Sequence, residues 1–361
     1  MGIKGKKSLE KFGIETEKMS SAYIVTYTPY FKSSVKRELS NLDESMQVKP
    51  LTDNISLVAS YLDNDTFVKK MELDTPIFPK HIMPVMYVGD ITGELEDDRD
   101  ILLSSTKEIT KMEEGSKFAV QCRVVKGKLP YSAKDIEVYI GEEYYHNGYI
   151  PTFSDREILN EDIFVISVLI YGNTYFLGFS KSGDNLNFHS DEARINSRAG
   201  GREISRAENK LKEALSVFKI ELPGGGTALD LGAAPGGWSK VLADYGYDVF
   251  AVDPADLHPD LKDNTKIHHM RLKSQDLKLD KPLDLIVNDM NMDPQDTAKI
   301  MNEVAHLLAD GGLAIVTLKL PTKPQRSIEE SVELLKQNYE VLKIRSLFHN
   351  RQEVTALLKR Q

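Results

Sequence analysis

Two groups of residues have the types and spacing for chemistry. The first is Asp230-Leu-Gly232-Ala-Ala234-Pro235-Gly236-Gly237-Trp238, behind a β-rich run and ahead of a helical one. Glycines at such a turn let the backbone bend sharply and come close to a ligand. The spacing is not that of a dinucleotide fingerprint, and no phosphate-loop Lys-Ser/Thr follows. A carboxylate at Asp230 would repel a pyrophosphate, whereas it suits an amino group. Asp253 stands at the end of the next run, where a carboxylate accepts hydrogen bonds from both hydroxyls of an adenosine ribose. Asp276 is expected to end the run after that, against the adenine amino group. Any one of these acids also reads as a turn or helix cap; three at successive strand ends are harder to explain that way. The set predicts S-adenosylmethionine as cofactor. The second group centres on Lys319, inside the apolar run LAIVTLKLP. A lysine at the end of a buried strand is costly unless it is paired or functional. Asp289 ends LIVNDM and Glu353 begins QEVTALL. Lys210 borders the apolar stripe Ile204, Ala207, Leu211, Ala214, Leu215 and Phe218 of a preceding helix, within reach of the sheet rim. Taken singly, each also reads as a surface ion-pair partner.

These residues need a scaffold. From about residue 204, short runs apolar on both faces alternate with helices at 237–246, 293–309 and 325–338, behind a helix at 204–219. That pattern predicts a mostly parallel sheet covered on both sides, with its site in the crevice at the carboxyl ends of the strands. The last two runs, joined only by FHNRQ, should pair antiparallel. Before this domain, strands at 22–28, 55–62, near 85–92 and 117–125 alternate with helices at 32–42, 64–73, near 99–112 and 132–146. The last of these helices has a Ser cap, and Tyr171-Gly172-Asn173 makes a hairpin. The division expected is a loose polar lead-in at 1–20, α+β modules at 21–94 and 95–190, a linker at 191–203 with Gly200-Gly201, and an α/β domain at 204–361.

With these residues in place, the chain resembles the FtsJ-type RNA 2′-O-methyltransferases. The likeness rests on Ser205-Arg206-Ala207 followed by Lys210-Leu211, the Asp230-to-Trp238 turn, Asp289-Met290, Lys319 and Glu353-Val354. Leu318-Lys319-Leu320-Pro321 and Arg351-Gln352-Glu353-Val354-Thr355 look closest to a multidomain branch that methylates a cytidine ribose of 23S ribosomal RNA. In that branch a ferredoxin-like module and a THUMP RNA-binding module precede the catalytic domain. Here the likeness of the first modules rests on element order and on Thr28-Pro29-Tyr30-Phe31. The resemblance implies a Rossmann-like methyltransferase domain and a catalytic set Lys210, Asp289, Lys319 and Glu353. It implies a cofactor site at Asp230, Gly232, Ala234, Pro235, Gly236, Gly237, Trp238, Asp253, Asp276 and Asp289. Asn291-Met292 departs from the Ala-Pro that single-domain members commonly carry, which leaves the substrate pocket open. A ribose hydroxyl is a poor nucleophile near neutral pH, so its proton must be taken or directed. As a base Lys319 would have to be neutral; as an orienting group it stays charged, and the net sign is not readable from sequence.

Arg194, Arg198, Arg202, Arg206 and Lys210 recur every fourth residue. Arg198, Arg202 and Arg206 are the candidate phosphate contacts, against a plain reading as a solvated face balanced by Glu203 and Glu208. Lys126, Lys128 and Lys134 around Pro130 read equally as a phosphate-holding or a solvated loop. Trp238 is expected to pack on the glycine turn, and His268-His269 to be structural, with no metal. The net charge of −9 argues against a chain coated in nucleic acid, although phosphate contacts are local. Cys122 alone rules out a disulfide framework. No run is long enough to cross a membrane, and the basic first residues lack an apolar signal core, which together predict a cytoplasmic protein. The competing expectations are a methyltransferase acting on tRNA, an mRNA cap, a small molecule or a protein, and a non-catalytic RNA-binding protein. Oligomeric state is not fixed by the sequence.

Overall fold

A computed structural model describes residues 2–152, 163–185, 204–273, 276–279, 282–320 and 324–361. The chain forms two units, Met1–Arg194 and Ile195–Gln361. The expected linker at 191–203 lies outside the described residues. Among the described residues, no helix is long and apolar enough to cross a membrane.

The first unit opens with strand β1 (Ser21–Tyr27), helix α1 (Lys32–Leu42), strands β2 (Gln47–Pro50) and β3 (Ile55–Ser60), helix α2 (Asn64–Leu73) and strand β4 (Pro79–Pro84). These strands form an antiparallel sheet in the order β2-β3-β1-β4. Strand β5 (Tyr87–Asp90), helix α3 (Leu95–Ile109), strand β6 (Lys117–Lys126), helix α4 (Ala133–His146), and strands β7 (Ile150–Pro151), β8 (Phe164–Tyr171) and β9 (Thr174–Lys181) follow. Their sheet runs β5-β9-β8-β6-β7. Helix α4 starts where its capping box requires: Ser132 accepts from the Asp135 N–H while the Asp135 carboxylate accepts from the Ser132 N–H. The β8–β9 hairpin turns at Gly172, whose φ of 62° is left-handed.

Two expectations need correction. The expected loose lead-in at 1–20 is ordered where it is described: a short 3-10 helix spans Lys6–Phe12, and Leu9, Ile14 and Met19 are buried in one cluster with Ile24, Leu57, Leu169 and Phe176. The apolar residues are spaced too irregularly to signal an element, yet each finds the core. The strand near 85–92 pairs with β9, so it belongs to the second sheet although it precedes the expected boundary at 94. β2 and β4 were not expected, because Gln47, Lys49, Lys80 and three prolines hide their pattern.

The second unit contains helix α5 (Ala207–Val217), strand β10 (Thr227–Leu231), helix α6 (Gly237–Asp244), and strands β11 (Asp248–Val252), β12 (Ile267–Met270) and β13 (Leu283–Asn288). Helix α7 (Pro294–Val304), strand β14 (Leu308–Lys319), helix α8 (Pro324–Leu335), and strands β15 (Tyr339–Arg345) and β16 (Glu353–Arg360) complete it. The sheet order is β12-β11-β10-β13-β14-β16-β15. The first five strands of that order run parallel. β16 is antiparallel to both neighbours, inserted between β14 and β15. The last pair therefore meets as expected, but β16 also pairs with β14. Leu285 and Val287 face a core made with Leu211, Leu215, Trp238 and Val241, while Ile286 between them is also fully buried. Both faces of the sheet are thus covered, as the unbroken apolar runs require. β10 and β13 are neighbours whose connections lead to opposite sides, so the order reverses between them, and a crevice opens at their carboxyl ends.

Candidate active site

The glycine turn follows β10 directly. Gly232 has φ 73°, and a Cβ there would stand 2.3 Å from the Met290 Cγ at the end of β13. Gly236 has φ 109°, and a Cβ at Gly237 would stand 2.3 Å from the Ser205 Oγ. The turn is therefore pressed between β13 and the start of α5, and only glycine fits. Between them Pro235 is exposed, and the Ala234–Pro235 peptide is cis. Asp253, one residue past β11, braces the turn: Ala234 N–H donates to its Oδ2 at 3.1 Å and Ala255 N–H to its Oδ1 at 2.8 Å. Trp238 is buried against α5, and its indole N–H donates to the Ala207 carbonyl at 2.7 Å. This is closer to packing on the helix before the turn than on the turn itself.

Asp230 is buried inside β10 and accepts a hydrogen bond from the Ser239 hydroxyl at 2.6 Å. Burial, with the Asp289 and Asp253 charges nearby, pushes its carboxyl up to about 7. A carboxyl raised in this way is drawn into its charged form by a cation placed beside it. Asp276 does not end a strand. β12 stops at Met270, where Leu272 N–H turns back onto the Met270 carbonyl, and Asp276 is exposed in the loop beyond. His269 contacts the Asp253 carbonyl, and among the described residues no group of three His, Cys, Asp or Glu side chains gathers as a metal site would.

Lys210, Asp289, Lys319 and Glu353 meet at one place. Lys319 and Glu353 are direct cross-strand partners on β14 and β16, so their side chains leave the same face of the sheet. Asp289 follows β13, the other neighbour of β14. Lys210 comes in from α5, 8% exposed. Its ammonium donates to Asp289 Oδ1 and Oδ2 at 2.8 and 2.9 Å and lies 2.7 Å from Glu353 Oε1. The Lys319 ammonium donates to Asp289 Oδ1 at 3.2 Å and to Glu353 Oε2. The four groups form a ring in which each charge touches two of opposite sign. Such burial is tolerated because no member is left unpaired. Burial pulls the Lys319 ammonium down, but the Asp289 and Glu353 carboxylates outweigh it and hold it above its ordinary range. Burial likewise raises the Glu353 carboxyl, and the two ammoniums overcome that and hold it below its usual range. Lys319 has the most open side chain of the four, 23% exposed. It faces a cleft of about 590 Å³ lined by Asn291, Pro294, Leu320, Arg351 and Gln352.

Other residues at this site were not singled out from the sequence. Ser239 partners Asp230, and buried Asn350 donates to Thr355 Oγ1 at 3.2 Å and towards Glu353 Oε1 at 3.4 Å. Glu213, 7% exposed on α5, accepts from the backbone N–H groups of Phe348 and His349. No periodic signal marks Glu213 in the sequence: at about 100° per residue it falls nearly opposite the stripe of Leu211, Ala214 and Leu215, where an acid reads as solvated. Arg198 and Arg202 lie outside the described residues. Arg206 is exposed at the N-cap of α5, one turn before Lys210, which is buried, so the pair does not continue one solvated face. Glu208 does not balance that face. It is buried and accepts from the Ile204 N–H at 2.6 Å. Lys128 and Lys134 are exposed, and Lys126 lies over the Tyr171 ring.

Residues 204–347 match the model of the FtsJ-like methyltransferase family. The ribosomal RNA large subunit methyltransferase M of Methylococcus capsulatus is 34% identical over 168 residues, 43% of this chain and 47% of that protein. The match thus spans about half the length of the first curated relatives. The protein of the same name from Psychromonas ingrahamii is 25% identical over 364 residues, 96% of this chain and 88% of the relative. Among solved structures, TrmN from Thermus thermophilus aligns over 94% of this chain and 100% of its own at 15% identity, with a TM-score of 0.37.

Proposed function

We propose, from a C-terminal unit that carries an FtsJ-like methyltransferase domain, that the protein transfers a methyl group from S-adenosylmethionine to a ribose 2′-hydroxyl of structured RNA. The single observation that supports this reading is the closed ring of Lys210, Asp289, Lys319 and Glu353 at the mouth of a cleft beside the glycine turn. The residues fit the cofactor. Asp253 has no ion-pair partner among the described residues and holds one oxygen against the turn and the other against its own loop at Ala255, an acceptor pair that suits ribose hydroxyl donors. Asp230 suits a cationic amino group for the reason given above. Asp276 is the candidate for the adenine amino group, and Asp289 serves both the ring and the cofactor side.

S-adenosylmethionine supplies a methyl group activated on a sulfonium. The protein's part is to hold the acceptor oxygen in line. Lys319 enters the reaction as an ammonium, because both carboxylates of the ring favour its charged form. One of its N–H groups is free to turn into the cleft and donate to the 2′-oxygen, which aims a lone pair at the methyl carbon. Asp289 and Glu353 anchor the other N–H groups, and Lys210, paired with both, helps hold Glu353 ionised. The hydroxyl proton becomes strongly acidic as the O–C bond forms and leaves to water in the cleft.

The substrate assigned is ribosomal RNA, and more finely a cytidine ribose of 23S ribosomal RNA, in a cytoplasmic setting. The 25% identity to the large-subunit enzyme over nearly all of both chains supports this over the tRNA and cap alternatives. The β-α-β-β-α-β element order of the first sheet supports a ferredoxin-like module, and the second sheet is the candidate THUMP-like, RNA-binding one. Arg198, Arg202 and Arg206 remain the proposed phosphate contacts. Incubation of the protein with tritiated cofactor and total RNA should label RNA and lose the label on ribonuclease treatment. Ribose-methylation mapping with the gene present and deleted should then show one missing 23S position. Label in protein or in small molecules, with none in RNA, would overturn the reading.

A further inference from the structure

The helix that delivers Lys210 also carries Glu213, one turn further on. Its side chain is 4% exposed. It accepts from the Phe348 N–H at 2.6 Å and the His349 N–H at 2.9 Å, and meets the His349 ring Nδ1 at 2.7 Å. The next residue, Asn350, is 2% exposed and accepts from the Leu347 N–H at 2.7 Å. Its amide donates to Thr355 Oγ1 at 3.2 Å and towards Glu353 Oε1 at 3.4 Å. One carboxylate thus ties α5 to the connection between β15 and β16, and that connection delivers Glu353. Charge-assisted bonds to two successive backbone N–H groups fix both the place and the direction of a chain segment. A buried carboxylate is expensive without such partners, so its presence needs the loop as much as the loop needs it.

We propose that Glu213 is a positioning residue for methyl transfer: by clamping the Phe348–His349 backbone to α5, it sets Glu353 within reach of both Lys210 and Lys319. The proposal rests on the reading that these four residues carry the chemistry. Lys210 and Glu353 come from opposite ends of the domain sequence, and Glu213 gives them a common rigid mount. Loss of the clamp frees the loop, and Glu353 moves off the two ammoniums.

The test uses the full chain with Glu213→Ala, Glu213→Gln, Asn350→Ala, Glu353→Ala and the double variant Glu213→Ala with Glu353→Ala. Single-turnover methyl transfer to RNA should fall about 10–100-fold in Glu213→Ala, by analogy with other residues that act through a ligand or catalytic group. Cofactor Kd should stay within about threefold, and Glu213→Gln, which keeps one acceptor, should recover part of the rate. The double variant should be no slower than Glu353→Ala alone. Competitive acetylation at pH 9, read lysine by lysine by mass spectrometry, needs no RNA. Lys319 should become several-fold more reactive in Glu213→Ala while Lys240 on α6 is unchanged. Transfer within threefold of wild type with Lys319 reactivity unchanged would overturn the proposal. So would losses that multiply in the double variant, or a rise in reactivity at lysines throughout the chain. If Glu213→Ala does not fold, Asn350→Ala interrupts the same route downstream and is read in the same way. If the wild type moves no methyl to RNA, the functional reading fails, and the acetylation comparison still decides the positioning.

Discussion

Lys319 is an ammonium held in place by two carboxylates, and this determines what its removal does. Lys319→Ala should reduce turnover about 10²–10⁴-fold with cofactor affinity nearly intact, because in the proposed mechanism the side chain acts on the acceptor rather than the donor. Retention of activity within a few-fold of wild type would remove Lys319 from the mechanism. The charge state makes a second prediction. Burial tends to lower Lys319, but Asp289 and Glu353 more than compensate, so single-turnover rates should be flat from about pH 6 to 9. An ascending limb in that range, lost in Lys319→Ala, would make it a base instead. For stability the signs are opposite at the two ends. Glu353, held below its ordinary value of 4.5, adds stability that is present above that pH and lost as pH falls. Lys319, held above 10.5, adds stability that is present below that pH and lost as pH rises past it. Asp230 behaves differently. Its folded value of about 7 lies above its ordinary 3.8, so the folded state loses stability as pH rises between them, up to about 4 kcal/mol. Asp230→Asn should therefore melt higher than wild type at pH 8 without cofactor, and the gap should shrink towards pH 5. A gap independent of pH would show that Asp230 ionises freely.

The elements explain how the ring is built. Lys319 and Glu353 face each other because β14 and β16 pair in that register, and a one-residue slip would send Glu353 to the other face. Gly232→Ala should abolish cofactor binding, measured by calorimetry, while the protein still folds. Its φ of 73° disfavours a side chain, and the new methyl would drive Met290 out of the crevice. Cofactor affinity within about threefold of wild type would mean the turn does not contact the donor. Much of this architecture was legible in the sequence. The unbroken apolar runs and the glycine turn marked the parallel sheet, and Lys319 in LAIVTLKLP marked the site. Only the strand-end placement of Asp276 fails, because the IHHMRL run outlasts the strand: β12 ends at Met270, where the chain turns back on itself. Glu213 and Asn350 were missed because their partners are backbone N–H groups and a side chain of a loop, which leave no periodic trace. The middle strand order was equally hidden. A hairpin-length link predicts that β15 and β16 pair, yet not that β16 also slots against β14.

At the scale of the whole molecule, on the proposed reading, the net charge of −9 sets how RNA must be held. Long-range attraction is weak for such a chain, so affinity has to come from local cationic contacts and should fall steeply with salt. Arg206→Glu should weaken RNA binding at all sequences and reduce the slope of log Kd against log salt by about 1 or more, with cofactor affinity unchanged. An unchanged slope would take Arg206 off the interface. The first unit shows why composition divides a chain poorly. Its opening residues are polar on average, yet Leu9, Ile14 and Met19 complete the cluster that also holds Leu169 and Phe176, and β5 crosses the expected boundary to join the later sheet. Segments were assigned by neighbours in sequence, whereas the core collects residues by neighbours in space.

The insertion of β16 separates two competences of one domain. On the proposed reading the donor pocket is framed by β10, β11 and β13, while the acceptor side is finished only when β16 is seated between β14 and β15. Partial opening at that edge would leave a species that still captures the methyl donor but cannot deliver it. On gentle heating such a species would sequester cofactor in idle molecules, and transfer would fade at a lower temperature than donor binding.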